Sequence, residues 1–334
     1  MRIALSLGSG GARGYAHVGI IDELKARGHT VVAIAGTSMG ALVGGLEAAG
    51  RLEEYAEWVT GMSQRDVLRL LDPAFNAPGI IRGQRVIDRV ADILEGARIE
   101  QCRVPFTAVA TDLTTQREVW FQHGPMATAI RASIAIPSAF TPVMINGRLL
   151  ADGGLVNPVP MEPLLGTPAD LTIAVDVSAR GRHGGTHQPV SESSDEEDAD
   201  WRERFRRNTA GLLDSEAVRS LLALVGRHRG ADGDGESARE EAEAQAASAQ
   251  ASGGPVDDLT LQELPRDLRL TDVLSLSYGV SAAMLGRFRI AANPPDVLLT
   301  VPIEAAGVFD FHRATELIDL GRSTAVDALD AAGL

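Results

Sequence analysis

The chain has 334 residues, enough for one large domain or two ordinary ones, and a hydrophobic content of 45% excludes disorder throughout. Its 31 basic and 45 acidic residues give a formal charge of -14, which excludes nucleic acid as a general partner because phosphate neutralisation requires an excess of Lys and Arg. The same charge argues against permanent attachment to an anionic membrane, although it allows brief contact with one.

The first fifty residues alternate apolar runs with helical patterns. The run 2–7 (RIALSL) predicts a buried strand that enters a glycine-rich loop, and 31–36 (VVAIAG) predicts a second buried strand. Helices are expected over 15–27 and 39–50. Strand and helix alternating at this spacing indicate a parallel sheet with right-handed crossovers.

The same alternation continues along most of the chain. Further strands are predicted over 105–111, 118–121, 148–151, 171–177 and 297–301. Further helices are predicted over 52–71, 83–95, 125–133, 271–289 and 312–331. The fold class that this pattern favours is α/β, as a three-layer α/β/α sandwich with a mostly parallel central sheet.

One segment, residues 181–258, interrupts the pattern. It contains 17 acidic and 9 basic residues, a net charge of -8, in low-complexity sequence that buries too little apolar surface to fold. We expect a largely disordered insertion with a candidate amphipathic helix near 201–226. The folded domain is then predicted to comprise residues 1–180, which carry the motifs described next, and residues 259–334 as its C-terminal part.

The motif GTSMG at 36–40 directly follows a predicted strand and directly precedes a predicted helix. This is the context of a nucleophile elbow, in which a strained serine needs small neighbours. Gly36 and Gly40 supply them, and the helix N-terminus places its positive dipole near the Ser38 hydroxyl. Without that context, the same letters would describe an ordinary turn, so the flanking elements make Ser38 a candidate nucleophile.

The motif GSGGARG at 8–14 also lies between a predicted strand and a predicted helix. Consecutive glycines let backbone N–H groups converge on an anion, and Arg13 either steadies this loop or binds a phosphate group. A dinucleotide site is disfavoured, because Arg13 occupies the place of the third fingerprint glycine and no carboxylate ends the second strand. A P-loop is excluded because no Gly-Lys-Ser/Thr follows.

A third motif, LLADGGLVNPVP at 149–160, contains Asp152, Gly153 and Gly154. Asp152 follows a predicted strand, so its carboxylate is expected at a strand end, where open α/β sheets keep their sites. An Asp-Gly-Gly sequence by itself is usually only a turn. Its combination with the other two motifs makes Asp152 a candidate catalytic acid or base.

Together the three motifs resemble the patatin-like phospholipases, which carry a glycine-rich loop followed by Arg or Lys, then G-x-S-x-G, then Asp-Gly-Gly or Asp-Gly-Ala in this order. The stretches 110–124 and 131–143 resemble that family as well. The resemblance implies a patatin-like fold, a Ser38–Asp152 catalytic dyad and no metal or other cofactor. It also implies an oxyanion hole formed by Gly10 and Gly11.

The remaining motif residues are expected to support these four. They are Gly8, Arg13, Gly14, Gly36, Gly40, Gly153 and Gly154. One position departs from the family, whose loop usually begins Gly-Gly-Gly, because Ser9 occupies the first of these places. We expect this change to tune the loop without inactivating it.

A histidine base is not apparent among the seven histidines. Only His312 follows Ser38 and an acid in the order of an ordinary α/β-hydrolase triad, and it opens a predicted helix. His17 belongs to the first predicted helix and is expected to pack or to hydrogen-bond there. Asp152 is therefore the preferred base.

The sequence thus predicts a serine acyl-ester hydrolase that acts on lipid or other acyl-ester substrates, in some cases at a membrane surface. Acyl transfer or thioester hydrolysis and a non-catalytic adaptor role remain the alternatives. The single cysteine, Cys102, excludes an intramolecular disulfide, and the chain shows neither a signal peptide nor a membrane span, so we expect a cytoplasmic protein with transient membrane contact. The acidic insertion is interpreted as a spacer, with binding of a basic partner or self-association as alternatives.

Overall fold

Both parts of the predicted folded domain contribute to one unit. The computed structural model describes residues 1–70, 79–81, 83–179 and 270–334. The predicted insertion 181–258 and its candidate helix near 201–226 lie outside the described residues. Residues 270–334 of the predicted C-terminal part belong to the same unit as the N-terminal motifs.

An eight-stranded mixed sheet forms the centre of the fold. Its strands are β1 (Arg2–Leu7), β2 (Thr30–Thr37), β4 (Phe106–Asp112), β5 (Arg117–Phe121), β7 (Val143–Ile145), β8 (Arg148–Asp152), β9 (Leu171–Ala179) and β10 (Val297–Pro302). The order is β10-β9-β1-β2-β4-β8-β7, and β5 also pairs with β4. The first five strands of that order are parallel, whereas β8, β7 and β5 join antiparallel. A separate parallel pair consists of β3 (Gly79–Ile81) and β6 (Ser138–Phe140).

Helices cover both faces of the central sheet. In the described residues they are α1 (Ala16–Ala26), α2 (Met39–Ala48), α3 (Leu52–Thr60), α4 (Gln64–Leu70), α5 (Gln84–Leu94), α6 (Met126–Ser133), α7 (Leu270–Ala292) and α8 (Ala314–Ala332). The predicted three-layer α/β fold is therefore confirmed.

The alternation of side chains along β1 explains the two faces. Ile3, Leu5 and Leu7 are completely buried in the main core, which also contains α1, α2 and α8. Burying a side chain of this size stabilises a fold by about 1.5–3 kcal/mol. The opposite face carries small residues such as Ala4, and α7 packs there through Ile290. Small side chains on this face leave room for backbone segments close to the sheet.

Strand β4 brings two of the sequence motifs together. Val109 of β4 pairs with Thr37, the last residue of β2, and the next residue, Ala110, pairs with Asp152 at the end of β8. At Val109 and Ala110 the other edge of β4 is paired with β5. Strands β2 and β8 must therefore pair with the same edge of β4, one after the other, so that their ends meet. Ser38, which follows Thr37, therefore lies beside Asp152.

The seven predicted strands are confirmed, and each predicted helix is confirmed except the one over 52–71. That single helix is wrong within the described residues, because α3 ends at Thr60 and α4 begins at Gln64. Ser63 interrupts it: the Ser63 amide and hydroxyl donate to Asp66 Oδ2 at 3.0 and 2.5 Å, and the Asp66 amide donates back to Ser63 Oγ at 3.3 Å. This capping box starts a new helix.

Candidate active site

Ser38 adopts a strained backbone conformation between β2 and α2. Its φ of 57° and ψ of -122° place a non-glycine residue in a region that costs about 1–3 kcal/mol. The turn is also very tight, because a Cβ on Gly36 would lie 2.3 Å from the Gly40 carbonyl oxygen and one on Gly40 would lie 2.1 Å from Leu7 O. The motif glycines thus permit the tight, strained turn that holds Ser38.

A second serine fixes this turn. The backbone N–H of Ser38 donates to Ser133 Oγ at 2.8 Å, and the Ser133 hydroxyl donates to Val109 O at 2.6 Å. Thr37 also donates its hydroxyl to Asn157 O at 2.8 Å, which ties the elbow to the segment after Asp152. These buried bonds oppose the relaxation of a strained turn.

Asp152 is held at both its backbone and its carboxylate. Its N–H donates to Ala135 O at 2.9 Å, and Thr111 donates its hydroxyl to Asp152 O at 2.8 Å. Its Oδ1 atom accepts two hydrogen bonds, from the Gly154 N–H at 2.7 Å and from the Tyr278 hydroxyl at 3.1 Å. Its Oδ2 atom makes no hydrogen bond within the described residues.

The environment of Asp152 suits a base near neutral pH. The residue is completely buried, and burial raises the pKa of its carboxyl to about 6, although Ser38, Gly154 and Tyr278 each lower it. The Ser38 hydroxyl is thus close enough to affect this pKa without completing a hydrogen bond of standard geometry to Oδ2.

The glycine-rich loop presents two unused backbone donors. Gly10 and Gly11 donate their N–H groups to no acceptor in the described part of the chain. The neighbouring amides are all used: Gly8 N–H donates to Val175 O at 2.9 Å, Ser9 N–H to Pro158 O at 2.8 Å, and Ala12 N–H to Val308 O at 2.9 Å. The loop is therefore anchored on both sides of these two amides.

Two buried side chains anchor the same loop. His17 is completely buried, and burial lowers its pKa to about 4, so its neutral ring donates from Nε2 to Gly8 O at 2.8 Å. Arg13 donates from Nε to Val177 O at 2.8 Å and from Nη1 to Ala306 O at 2.7 Å. Of its two predicted roles, steadying the loop therefore fits the contacts of Arg13, and the packing role of His17 is confirmed.

The remaining motif glycines lie where a side chain would not fit. A Cβ on Gly14 would lie 2.3 Å from Met39 Cγ, and one on Gly153 would lie 2.3 Å from Val109 O. The three motifs are therefore packed against one another at the ends of β1, β2 and β8. His312, the alternative base, belongs to a short 3-10 turn before α8 and contributes nothing to the pKa of Asp152.

An apolar pocket opens at Ser38. It encloses about 710 Å³ when the open space at its mouth is counted. Ser38, Gly11 and Met39 line it together with aliphatic side chains from α2, α4 and α5. Five aromatic side chains also line it: Tyr15, Tyr55, Trp58, Phe140 and Phe311. Such a lining favours a hydrocarbon chain over a polar ligand.

The comparison with known proteins agrees with this geometry. The family model described as patatin-like phospholipase matches residues 5–165. An uncharacterized NTE family protein of Mycobacterium tuberculosis is 44% identical over 335 aligned residues, covering 99% of this chain and 92% of the relative. The chain belongs to the patatin-like phospholipase family. The similarity to the NTE family relatives extends beyond residues 5–165 to nearly the whole chain.

Animal members of the patatin-like phospholipase family match over a shorter region. Mouse patatin-like phospholipase domain-containing protein 7 is 32% identical over 185 residues, covering 53% of this chain and 14% of the mouse protein. The Caenorhabditis elegans patatin-like phospholipase domain-containing protein is 34% identical over 184 residues, covering 53% of this chain and 14% of the nematode protein.

Among solved structures, VipD from Legionella pneumophila aligns with a TM-score of 0.43 at 14% identity, over 86% of this chain and 66% of the VipD chain.

Two further properties concern the described residues only. No helix among them has the length and hydropathy needed to cross a membrane. Nor do they contain a group of three or more His, Cys, Asp or Glu side chains arranged to hold a metal ion.

Sequence reasoning missed three side chains of the site. Ser133 and Thr111 lie inside the two stretches that resemble the family, but nothing in their local sequence identifies a partner. Tyr278 follows Asp152 by 126 residues, and only its place as one of three tyrosines in the chain distinguishes it. All three make contacts that depend on tertiary packing.

Proposed function

We propose that this chain is a serine acyl-ester hydrolase that cleaves fatty-acyl esters of lipids, with Ser38 as nucleophile and Asp152 as base. The observation that carries the proposal is the meeting of β2 and β8 on one edge of β4, which brings these two side chains together beside an apolar pocket. Membership of the patatin-like phospholipase family supports the same chemistry.

The reaction follows from the contacts of each group. Asp152 Oδ2, which has no other hydrogen-bond partner among the described residues, accepts the Ser38 proton while Ser38 Oγ attacks the ester carbonyl carbon. The N–H groups of Gly10 and Gly11, which have no acceptor among the described residues, stabilise the tetrahedral oxyanion. The alcohol leaves with the proton from Asp152, and water, activated by the same carboxylate, then hydrolyses the Ser38 acyl ester.

The pocket indicates which part of the substrate the protein recognises. Its aromatic and aliphatic lining suits the acyl chain, so the alcohol or head group of the substrate remains at the mouth. Because the single cysteine fits a reducing compartment, we place this activity in the cytoplasm, with transient contact with membranes that hold the substrate.

The proposal is tested by measuring fatty-acid release from phosphatidylcholine, lysophosphatidylcholine and triacylglycerol dispersions, and from a long-chain acyl thioester with and without an acceptor alcohol. We expect free fatty acid from at least one lipid ester. Acyl transfer to the alcohol in place of hydrolysis would instead support a transferase. A folded protein that releases nothing from any substrate would contradict the proposal and favour the adaptor role.

Filling the pocket should change the preferred chain length. Val86 of α5 is half-buried and lines the pocket. Each buried methylene contributes about 0.8 kcal/mol, so Val86→Trp, by excluding two methylenes, should lower kcat/KM for palmitoyl nitrophenyl ester about fifteenfold. Activity on the butyryl ester should change by less than about twofold, because a short chain does not reach the filled space.

A control shows whether the effect belongs to the pocket. Leu165, which is 64% exposed, lies outside the pocket, and Leu165→Trp should leave both esters unaffected. Equal losses on long and short esters in Val86→Trp would contradict the assignment of this pocket to the acyl chain.

A further inference from the structure

The base has a second side-chain contact besides Ser38. Tyr278 lies on α7, and its hydroxyl donates to Asp152 Oδ1 at 3.1 Å. We propose that Tyr278 is a positioning residue, which fixes the Asp152 carboxylate through Oδ1 and keeps it ionised so that Oδ2 accepts the Ser38 proton. This inference rests on the proposed function, in which Asp152 is the base.

The two carboxylate oxygens have different environments. Oδ1 accepts from Tyr278 and from the Gly154 N–H, which together prevent rotation of the carboxylate. Oδ2 is buried and accepts no hydrogen bond from the described residues. This asymmetry leaves Oδ2 available to accept the Ser38 proton. Tyr278 would thus orient Asp152 as the aspartate of a Ser–His–Asp triad orients its histidine.

The second glycine of the Asp-Gly-Gly motif makes room for this contact. A Cβ on Gly154 would lie 2.4 Å from the Tyr278 hydroxyl oxygen and 3.0 Å from Asp152 Oδ1. Any side chain at position 154 would therefore displace the tyrosine hydroxyl. Two separate observations therefore agree. Position 154 has no room for a side chain, and the Tyr278 hydroxyl, from a helix far along the sequence, occupies the space that glycine leaves.

No charged side chain among the described residues affects the pKa of the Asp152 carboxyl, to which the Tyr278 hydroxyl donates. The polar groups that face it are the Ser38 hydroxyl, the Gly154 N–H and the Tyr278 hydroxyl, and Thr111 of β4 contacts only its backbone oxygen. Burial raises the pKa of Asp152, whereas Tyr278 lowers it. Burial, and then the charge of Asp152, raise the pKa of Tyr278 well above its usual value, so Tyr278 stays a donor at working pH.

Removing the Tyr278 hydroxyl should therefore raise the fraction of protonated Asp152 and lower activity at low pH, but leave activity at high pH nearly unchanged. Wild type should lose kcat/KM below about pH 6, as Asp152 becomes protonated. In Tyr278→Phe this acid limb should move up by about one to two pH units, since a hydrogen bond to a charged group is lost. Above about pH 9 kcat/KM should return to within about threefold of wild type, and KM should not change because Tyr278 does not line the pocket.

Two further variants and one direct readout complete the experiment. Gly154→Ala should move the acid limb in the same direction, because the added methyl group displaces the Tyr278 hydroxyl. Tyr55 is a buried tyrosine that lines the pocket, and Tyr55→Phe should leave the pH of the acid limb unchanged even if the rate changes. The titration of Asp152 is followed in the folded proteins by carboxyl ¹³C NMR, assigned with Asp152→Asn.

The outcomes separate this inference from the proposed function. An upward shift of the Asp152 titration in Tyr278→Phe supports the contact, even if wild type proves inactive and the hydrolase proposal fails. An active wild type whose acid limb and Asp152 titration are both unchanged by Tyr278→Phe would overturn the role of Tyr278 and leave the proposed function intact. A rate loss of the same size at every pH would likewise overturn it.

Discussion

Ser38→Ala should lower kcat for lipid-ester hydrolysis by about 10⁴-fold or more, because removal of a nucleophile in a serine hydrolase leaves only binding and oxyanion stabilisation. The fold should persist, since alanine occupies the positive-φ position with a Cβ of the same size and keeps the N–H bond to Ser133. Hydrolysis is measured with saturating substrate, and folding by thermal unfolding.

The matched control is Ser323→Ala. Ser323 is exposed on α8 and donates only to Leu320 O, so its loss should leave hydrolysis unchanged. If Ser38→Ala were folded and kept more than about 1% of the wild-type rate, another nucleophile would have to be sought.

Asp152→Asn should lower kcat by about 10⁴-fold at neutral pH, because the amide cannot accept the Ser38 proton. The same substitution should make the protein more stable. Asn keeps an acceptor for Gly154 and Tyr278, and it removes a buried charge. A variant that is inactive and more stable than wild type would separate the catalytic effect from misfolding.

The pH dependence of that stability has a definite sign. Burial raises the pKa of Asp152 from 3.8 to about 6, so its contribution to stability is present below about pH 3.8 and is lost as the pH rises through about 6. A shift of this size corresponds to about 3 kcal/mol. The free energy of unfolding of Asp152→Asn should exceed that of wild type at about pH 8, and the excess should shrink towards about pH 4.

A neighbouring aspartate offers a control of opposite sign. Asp112, on β4, accepts from the N–H groups of Thr115 and Thr114, and the Thr115 bond holds its pKa below the usual value. Its carboxylate therefore stabilises the fold above its unfolded pKa. Asp112→Asn should lower stability at neutral pH and leave hydrolysis nearly unchanged. Loss of activity in Asp112→Asn but not in Asp152→Asn would contradict the choice of base.

Local sequence was sufficient for the features that depend on neighbouring residues. The Gly36–Gly40 elbow and the Gly8–Gly14 loop each lie between a strand and a helix that the sequence predicts, and their glycines are required by contacts a few ångströms away. The central strands were predictable for a similar reason, since long buried strands appear as continuous apolar runs.

Features that depend on long-range packing could not be derived from local sequence, and the pairing of Ser38 with Asp152 was expected only from the family resemblance. The antiparallel entry of β8 beside β4, which brings Asp152 to Ser38, depends on register between segments about forty residues apart. The hydrogen bonds that Ser133 makes to the Ser38 N–H and Tyr278 makes to the Asp152 carboxylate likewise join residues 95 and 126 positions apart. The break between α3 and α4 had a local signal in Ser63 and Asp66, but apolar periodicity continues through it and predicts one helix.

The central claim is that Ser38 is the nucleophile, and mapping its covalent adduct tests this most directly. Wild type is treated with a fluorophosphonate that carries a long alkyl chain, digested, and searched by mass spectrometry for the modified residue. We expect a single phosphonylated site at Ser38, formed far more slowly in Asp152→Asn. An adduct on another residue, or no adduct on folded protein that hydrolyses lipid esters, would contradict the assignment of Ser38.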